Sequence, residues 1–170
     1  MSAAVDLLTD AFGRIHEVVH EAVDGLTTDE LAFRPAPRAN SIAWLVWHLT
    51  RIQDDHIAGA TETEQLWTSE GWADRFGLPL PPADHGYGHT ADQVAAVQVE
   101  SGELLTAYHD AVYEKTLRYA AHLTDADFDR VVDKAWDPPV TLGVRLVSVI
   151  SDDLQHAGSA AYLRGFLLPQ

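Results

Sequence analysis

The sequence contains no cysteine and little positive charge: 11 Lys and Arg stand against 26 Asp and Glu, a formal net charge of −15. The missing cysteine excludes disulfides, thiolate zinc sites, iron–sulfur clusters and a cysteine nucleophile. Any metal bound by side chains must therefore rest on Asp, Glu or one of the nine histidines. The shortage of cations sets the chain against phosphate backbones and anionic lipid surfaces, so neither nucleic acid nor a membrane is expected as a partner. No run approaches the roughly 20 apolar residues of a membrane span. Met1-Ser2-Ala3-Ala4-Val5-Asp6 lacks the basic and then apolar segments of a signal peptide. A cytoplasmic location is the expectation. Also missing are a Walker-type phosphate loop, G-x-G-x-x-G after a strand, and the G-x-S-x-G elbow of serine hydrolases. Strand-like alternation is almost absent.

What is present is helical periodicity. Val5, Leu8, Phe12, Ile15, Val19 and Ala22 recur at spacings of three and four, which predicts a first helix over about residues 3–25, stopped by Gly25. Thr27-Thr28-Asp29-Glu30 starts a short helical turn that Pro35 and Pro37 close. Asn40 or Ser41 caps a second helix over 41–59, ended by Gly59. Residues 60–89 read as a long loop with one short helix near 66–76, either a functional lid or an ordered cap on the bundle. Thr90-Ala91-Asp92-Gln93 matches a capping box and opens a third and longest helix over 90–122, with Val94, Val97, Leu104, Tyr108 and Ala111 in its buried stripe. A connector over 124–140 holds a short helix or an extended pair around Arg130-Val131-Val132. Thr141 caps a last helix over 142–166, with Gly165 and Pro169 marking its end. Four long amphipathic helices in a single domain spanning 1–170 predict an all-α four-helix bundle.

At 100° per residue, Trp44, His48, Ile52 and Asp55 fall within about 40° of one line on the second helix. His48 thus projects from an apolar face. Asp152 and His156, spaced i, i+4 on the last helix, share an inward face with Val149 and Leu163. A buried Asp needs a partner. Arg145, seven residues back on the same side, offers an ion pair as the purely structural alternative. Taken together, His48, Asp152 and His156 make a facial set of two imidazoles and one carboxylate with open positions for water or substrate. His56 follows Asp55 and points about 80° from His48; it is a general acid or base at the rim of the site, or a surface residue. Other histidines compete. His16-Glu17-Val18-Val19-His20 has the letters of the helical zinc-protease motif, but it lies partly off the apolar stripe of the first helix and ranks second as a metal site. His85-Gly86-Tyr87-Gly88-His89 is a loop cluster, read as an exposed turn or a pocket mouth. His109 and His122 have no obvious partners.

Two stretches resemble a known family. Pro35-x-Pro37 followed by Ser41-Ile42-Ala43-Trp44-Leu45-Val46-Trp47-His48-Leu49-Thr50 resembles the second-helix signature of the DinB/YfiT-like superfamily. Ser151-Asp152-Asp153-Leu154-Gln155-His156-Ala157-Gly158-Ser159-Ala160-Ala161-Tyr162-Leu163-Arg164-Gly165 resembles its last-helix signature. Pro138-Pro139-Val140-Thr141-Leu142-Gly143-Val144-Arg145-Leu146 looks like the DUF664 branch. The resemblance implies an up-down-down-up bundle, often dimeric, with a divalent metal held by His48, Asp152 and His156. Zinc is the first expectation and nickel the second. The middle ligand position is often His in the superfamily and Glu in relatives of mycothiol-dependent maleylpyruvate isomerase; here it is Asp152. Characterised relatives use mycothiol or a similar small thiol in S-transfer or isomerisation, so the resemblance implies a thiol and an electrophile as partners. Asp55 or His56 could accept the thiol proton, and Trp44, Trp47 and the Trp67–Phe76 stretch could wall the pocket. The alternatives are a non-catalytic metal- or ligand-binding bundle and a hydrolase that uses metal-bound water.

Overall fold

The computed structural model describes residues 2–168, so Met1 and the Pro169 stop signal lie outside the described residues. Ser2 accepts the Val5 amide and opens α1 (Ala3–Val23). Val5, Leu8, Phe12, Ile15, Val19 and Ala22 are its buried stripe, one face of a 3.6-residue period. α2 (Thr28–Ala32) begins at Thr27, whose hydroxyl and the Glu30 carboxylate cap each other's backbone. α3 (Ile42–Thr61) starts from the Ser41 cap, and every residue from 41 to 51 is buried. It runs past its expected end: Gly59 stays helical and the chain turns at Glu62, which adopts φ 55°.

The short helix expected near 66–76 is two helices, α4 (Leu66–Ser69) and α5 (Trp72–Phe76), parted by Gly71. The third long helix differs most. It is not continuous over 90–122 but divides into α6 (Ala91–Ala96) and α7 (Gly102–Ala120). Each piece has its own cap. Thr90 and Gln93 form the capping box, and Ser101 accepts the Leu104 amide. The link buries Val97 and Val99, which offsets the helical hydrogen bonds it forgoes. Gly102 lets α7 start hard against α1, because a Cβ there would sit 2.7 Å from Val23 Cγ1. The buried stripe shifts with the break, and Leu105 and Val112 are buried where Leu104 and Ala111 are only partly covered. The connector holds both of its expected forms, a 3-10 turn (Asp125–Asp129) and an antiparallel pair, β1 (Val131–Asp133) with β2 (Val140–Thr141). α8 (Leu142–Leu167) is the longest helix among the described residues and continues through Gly165.

The four long helices form the bundle: α8 packs on α1 and α3, and α7 packs on the same two. Cross-helix contacts give the directions. Arg164 reaches the Ala22 carbonyl while Leu8 and Leu146 share one groove, so α1 and α8 are parallel. His48 faces Asp152 and His56 faces Arg145, so α3 is antiparallel to α8. Thr50 meets His109 and Gln53 meets Thr116, so α7 runs with α3. The bundle is therefore all-α and up-down-down-up.

Two buried charges on α3 fix the segment after it. Asp54 accepts the Leu66 and Trp67 amides at 2.9 and 2.8 Å and the Tyr108 hydroxyl at 2.9 Å. Arg51 donates to Gln65 Oε1 and to the carbonyls of Pro82 and Asp84, with its guanidinium 4.8 Å from the centre of the Trp67 ring. Buried charges stabilise only when satisfied in this way. Of the two readings of residues 60–89, the ordered cap is the one that forms. Among the described residues no helix is long and apolar enough to cross a membrane.

Candidate functional site

α3 carries His48 on its buried face, and α8 carries Asp152 and His156 one turn apart. Because α3 and α8 are antiparallel neighbours, the three side chains converge. His48 Nε2 lies 3.8 Å from Asp152 Oδ2, His156 Nε2 lies 3.8 Å from Asp152 Oδ1, and the two imidazole centroids are 4.7 Å apart. One ligand atom from each residue falls within 4.8 Å of the other two. A separation of 3.8 Å is too long for a hydrogen bond. It is near the roughly 3.4 Å between neighbouring ligands around a tetrahedral zinc.

The electrostatics of the gap are specific. His48 Nδ1 donates to the carbonyl of His85, so its Nε2 carries a lone pair toward Asp152. Burial pushes the His48 pKa down to about 4; His156 adds to this, while the His85 carbonyl and Asp152 oppose it. The imidazole is thus neutral. Opposite it, Asp152 Oδ2 is buried without a hydrogen-bond partner. A ring lone pair and an unpartnered Asp152 oxygen face each other without a hydrogen bond, an arrangement that a cation satisfies. The donor set fits a divalent metal with nitrogen and oxygen preferences. The structural alternative for Asp152 does not form: Arg145 bonds Asp133 at 2.7 Å and reaches His56 at 3.4 Å. The neighbouring Asp153 is wholly buried, and burial first, then Asp152, raises its pKa well above the carboxylate range, so it adds no charge.

The loop cluster that reads as an exposed turn or a pocket mouth is the back wall of this site. Asp84 accepts the Gly86 amide at 2.9 Å and His89 Nε2 at 3.0 Å. His89 Nδ1 in turn accepts Trp44 Nε1–H at 3.0 Å. Trp44 stacks on His48 with centroids 4.5 Å apart. Gly86, buried at φ +95°, brings the loop in so closely that a Cβ would meet His48 Nδ1 at 2.7 Å. Tyr87 alone projects, 85% exposed. The glycines flanking Tyr87 were the available signal, since φ > 0 next to a helix face allows close backbone approach.

Asp55 and His56 do not join the three. Asp55 accepts the Gln65 amide at 2.7 Å and opens on a separate cleft beside Gly59 and Pro82. His56 Nε2 receives Arg145, and its Nδ1 lies 3.6 Å from Asp55. Burial, then Arg145, holds the His56 pKa below its ordinary value. On the outer side of His156 lies a cleft of about 410 Å³ walled by Pro35, Leu45, Tyr162 and Phe166. Trp47, Trp67 and Phe76 belong to the core cluster rather than to this cleft.

A family model described as mycothiol-S-transferase matches residues 7–167. The chain belongs to the mycothiol-S-transferase family. This is a DinB/YfiT-like family, in keeping with the two helix signatures. The chain is also similar to a crystal structure of a conserved protein from Enterococcus faecalis, with a TM-score of 0.90, 35% identity and 96% of each chain covered. No curated protein matches the chain significantly. Among the described residues the chain brings together one more set of ligand-type side chains. His16 and His20 on α1 converge with Asp110 on α7, on the face of the bundle opposite the α3–α8 pair. Asp110 escapes a sequence reading because its partners lie 94 and 90 positions away.

Proposed function

We propose that the protein is a divalent-metal-dependent S-transferase that activates a low-molecular-weight thiol, mycothiol or a close analogue, for attack on an electrophile. The observation that carries this reading is the approach of the His48 Nε2 lone pair to the buried, unpartnered Asp152 oxygen, in a chain of the mycothiol-S-transferase family. His48, Asp152 and His156 would hold the ion, with zinc the first assignment and nickel the second. When bound, the ion supplies Lewis acidity that lowers a thiol pKa and favours the thiolate at neutral pH.

The protein's own groups do the rest. Trp44 and the His85 carbonyl lock the His48 ring and its tautomer. The cleft beside His156 seats the electrophile against Tyr162 and Phe166. The thiol must come from solution, because the chain has no cysteine. In the transfer the S–H bond breaks, the sulfur electron pair forms the S–C bond, and the leaving group departs with its own pair. We assign acceptance of the thiol proton to His56 Nε2 on release of its Arg145 contact, with Asp55 facing Nδ1 across 3.6 Å. Leu7 and Val147, 71% and 65% exposed on an apolar groove between α1 and α8, would pair with a second copy of the chain. The reading is cytoplasmic, where small thiols are abundant.

The test is a conjugation screen with mycothiol and a panel of alkylating electrophiles on zinc- and nickel-loaded protein. Turnover is expected for the wild type and absent in His48→Ala and Asp152→Ala. Hydrolysis without consumption of thiol would overturn the reading and favour a metal-dependent hydrolase. Ion binding without any turnover would favour a non-catalytic metal-binding bundle.

A further inference from the structure

The α1–α7 face carries a cluster that the S-transfer reading does not use. His16 and His20, one turn apart on α1, both direct Nε2 at Asp110 Oδ1 on α7, at 2.8 and 2.7 Å. One ligand atom from each of the three lies within 4.8 Å of the others. The rings are held in place: Tyr113 stacks on His16 at 4.3 Å, and the two imidazoles lie 4.5 Å apart. Their side chains are 28% and 41% exposed, and that of Asp110 is 43% exposed, so an ion could enter and keep water on its free positions.

The surroundings favour a cation. His20 opens on a cleft of about 360 Å³ that also presents Glu21, Asp24 and Glu103 and is lined by no Lys or Arg. Beside His16, with ring centroids 5.8 Å apart, lies the wholly buried His109. The Thr50 hydroxyl donates to the Val46 carbonyl at 2.8 Å, so at 3.2 Å it accepts from His109 Nδ1. That leaves a bare Nε2 lone pair, buried and unpartnered. The polar environment next to the cluster is therefore deficient in positive charge.

We propose that His16, His20 and Asp110 form a second divalent-cation site, selective for zinc-class ions, that clasps α1 to α7. Two imidazole nitrogens with one carboxylate suit zinc, nickel or copper and not magnesium or calcium, which take oxygen ligands. The i, i+4 pair on one helix with a third ligand from its neighbour gives rigid support. On binding, each imidazole carries its proton on Nδ1 and turns a free Nε2 to the ion. The site depends on neither the S-transfer reading nor the α3–α8 triad.

The experiment counts zinc by isothermal titration and elemental analysis on metal-stripped full-length protein. The variants are His48→Ala/His156→Ala, His16→Gln/His20→Gln and Asp110→Asn. The wild type is expected to take up two ions and each double variant one. In His48→Ala/His156→Ala, zinc should still raise the melting temperature, because the remaining ion bridges two helices. Asp110→Asn keeps the shape of the cluster and should weaken the second ion by about tenfold or more, which tests the site even if the histidine variant folds poorly. An anomalous zinc peak between His16, His20 and Asp110 is expected in a crystal of the double variant lacking the triad histidines. One ion in the wild type and none in that variant would overturn the proposal, leaving the cluster a hydrogen-bonded triad only. A second ion with its anomalous peak elsewhere would overturn it too.

Discussion

Gly86→Ala should damage the α3–α8 site more than the same change at any other glycine. The added Cβ meets His48 Nδ1 at 2.7 Å and the rings of Trp44 and Trp47 at 3.1 Å each. None of these can retreat easily. Trp47 is 1% exposed, Trp44 is 6% exposed, and His48 is stacked on Trp44. The φ of +95° adds backbone strain of about 1–3 kcal/mol for a non-glycine residue. If the loop withdraws, the His48 N–H loses the His85 carbonyl, and a buried donor left unmade costs roughly 1–3 kcal/mol. The sum is about 2–6 kcal/mol, a fall in melting temperature on the order of 4–24 °C for a chain of this size. Free rotation of His48 should also weaken zinc at the triad roughly 10- to 100-fold, as loss of an orienting partner does. Gly88→Ala is the control: its φ is +73° but a Cβ there meets nothing within 4 Å, so it should carry only strain and leave zinc affinity unchanged. Competition titration against a chromogenic chelator, with thermal unfolding alongside, reads both effects. Equal zinc affinity for Gly86→Ala and the wild type would refute the claim that the 84–89 loop fixes His48.

Three more outcomes follow from the same contacts. Asp54→Ala removes the acceptor for two amides and the Tyr108 hydroxyl; urea unfolding should show a loss of about 3–5 kcal/mol, with Asp54→Asn intermediate. The His56 pKa is depressed in the folded state. As pH falls below about 6.5 the unfolded chain takes up a proton that the native state refuses, so stability falls by at most ~1.4 kcal/mol per pH unit until the native pKa is reached. His56→Gln should reduce that slope in metal-free protein, where the buried His48 and His109 keep their own shares, and remove the matching acid limb of the transfer rate; an unchanged rate profile would leave His56 and Asp55 as supports for Arg145 and Gln65. Val147→Glu places a charge in the apolar groove beside Leu7 and should abolish the proposed self-association in sedimentation equilibrium without lowering zinc affinity at the triad.

The fold was legible wherever a signal lay within one helix. The α1 stripe, the Ser41 and Thr141 caps, the inward face of His48 and the shared side of Asp152 and His156 follow from 3.6-residue spacing, although on α8 the fully buried line runs through Asp153 and Ala157 and leaves Asp152 and His156 half-buried on its flank. The break between α6 and α7 was hidden because Val94, Val97 and Leu104 keep helical spacing across it. The competing signal, a second N-cap at Ser101 before Gly102, decides the structure only because α1 lies close enough for Gly102 to matter. Gly59 and Gly165 have the look of stops, yet both sit within helices where an added methyl would meet nothing within 4 Å. Helix continuation through such a glycine costs only about 1 kcal/mol against alanine. Arg145 was a fair partner for Asp152 by helical register. It turned instead to Asp133, which a two-stranded hairpin delivers from outside the helix. Contacts of that kind depend on how distant segments dock, which no local period encodes.

The two clusters use the same device, two ligands one turn apart and a third from a facing helix, yet they should not bind alike. At the triad Asp152 stands 3.8 Å from both imidazoles, so an ion enters a gap where no hydrogen bond has to break. At the second cluster Asp110 already holds both histidines at 2.7–2.8 Å. An ion there must displace two hydrogen bonds, a handicap of about 1–3 kcal/mol, or affinity on the order of ten- to a hundredfold weaker. Burial acts in the same direction, since His48 is 4% exposed and a drier site strengthens each ligand bond. The first equivalent of zinc should therefore enter the α3–α8 triad and the second the α1–α7 cluster. Cobalt substitution followed by paramagnetic shifts of the histidine protons distinguishes the order. If the His16 and His20 signals move with the first equivalent, the preformed hydrogen bonds organise the cluster for metal more than they compete with it.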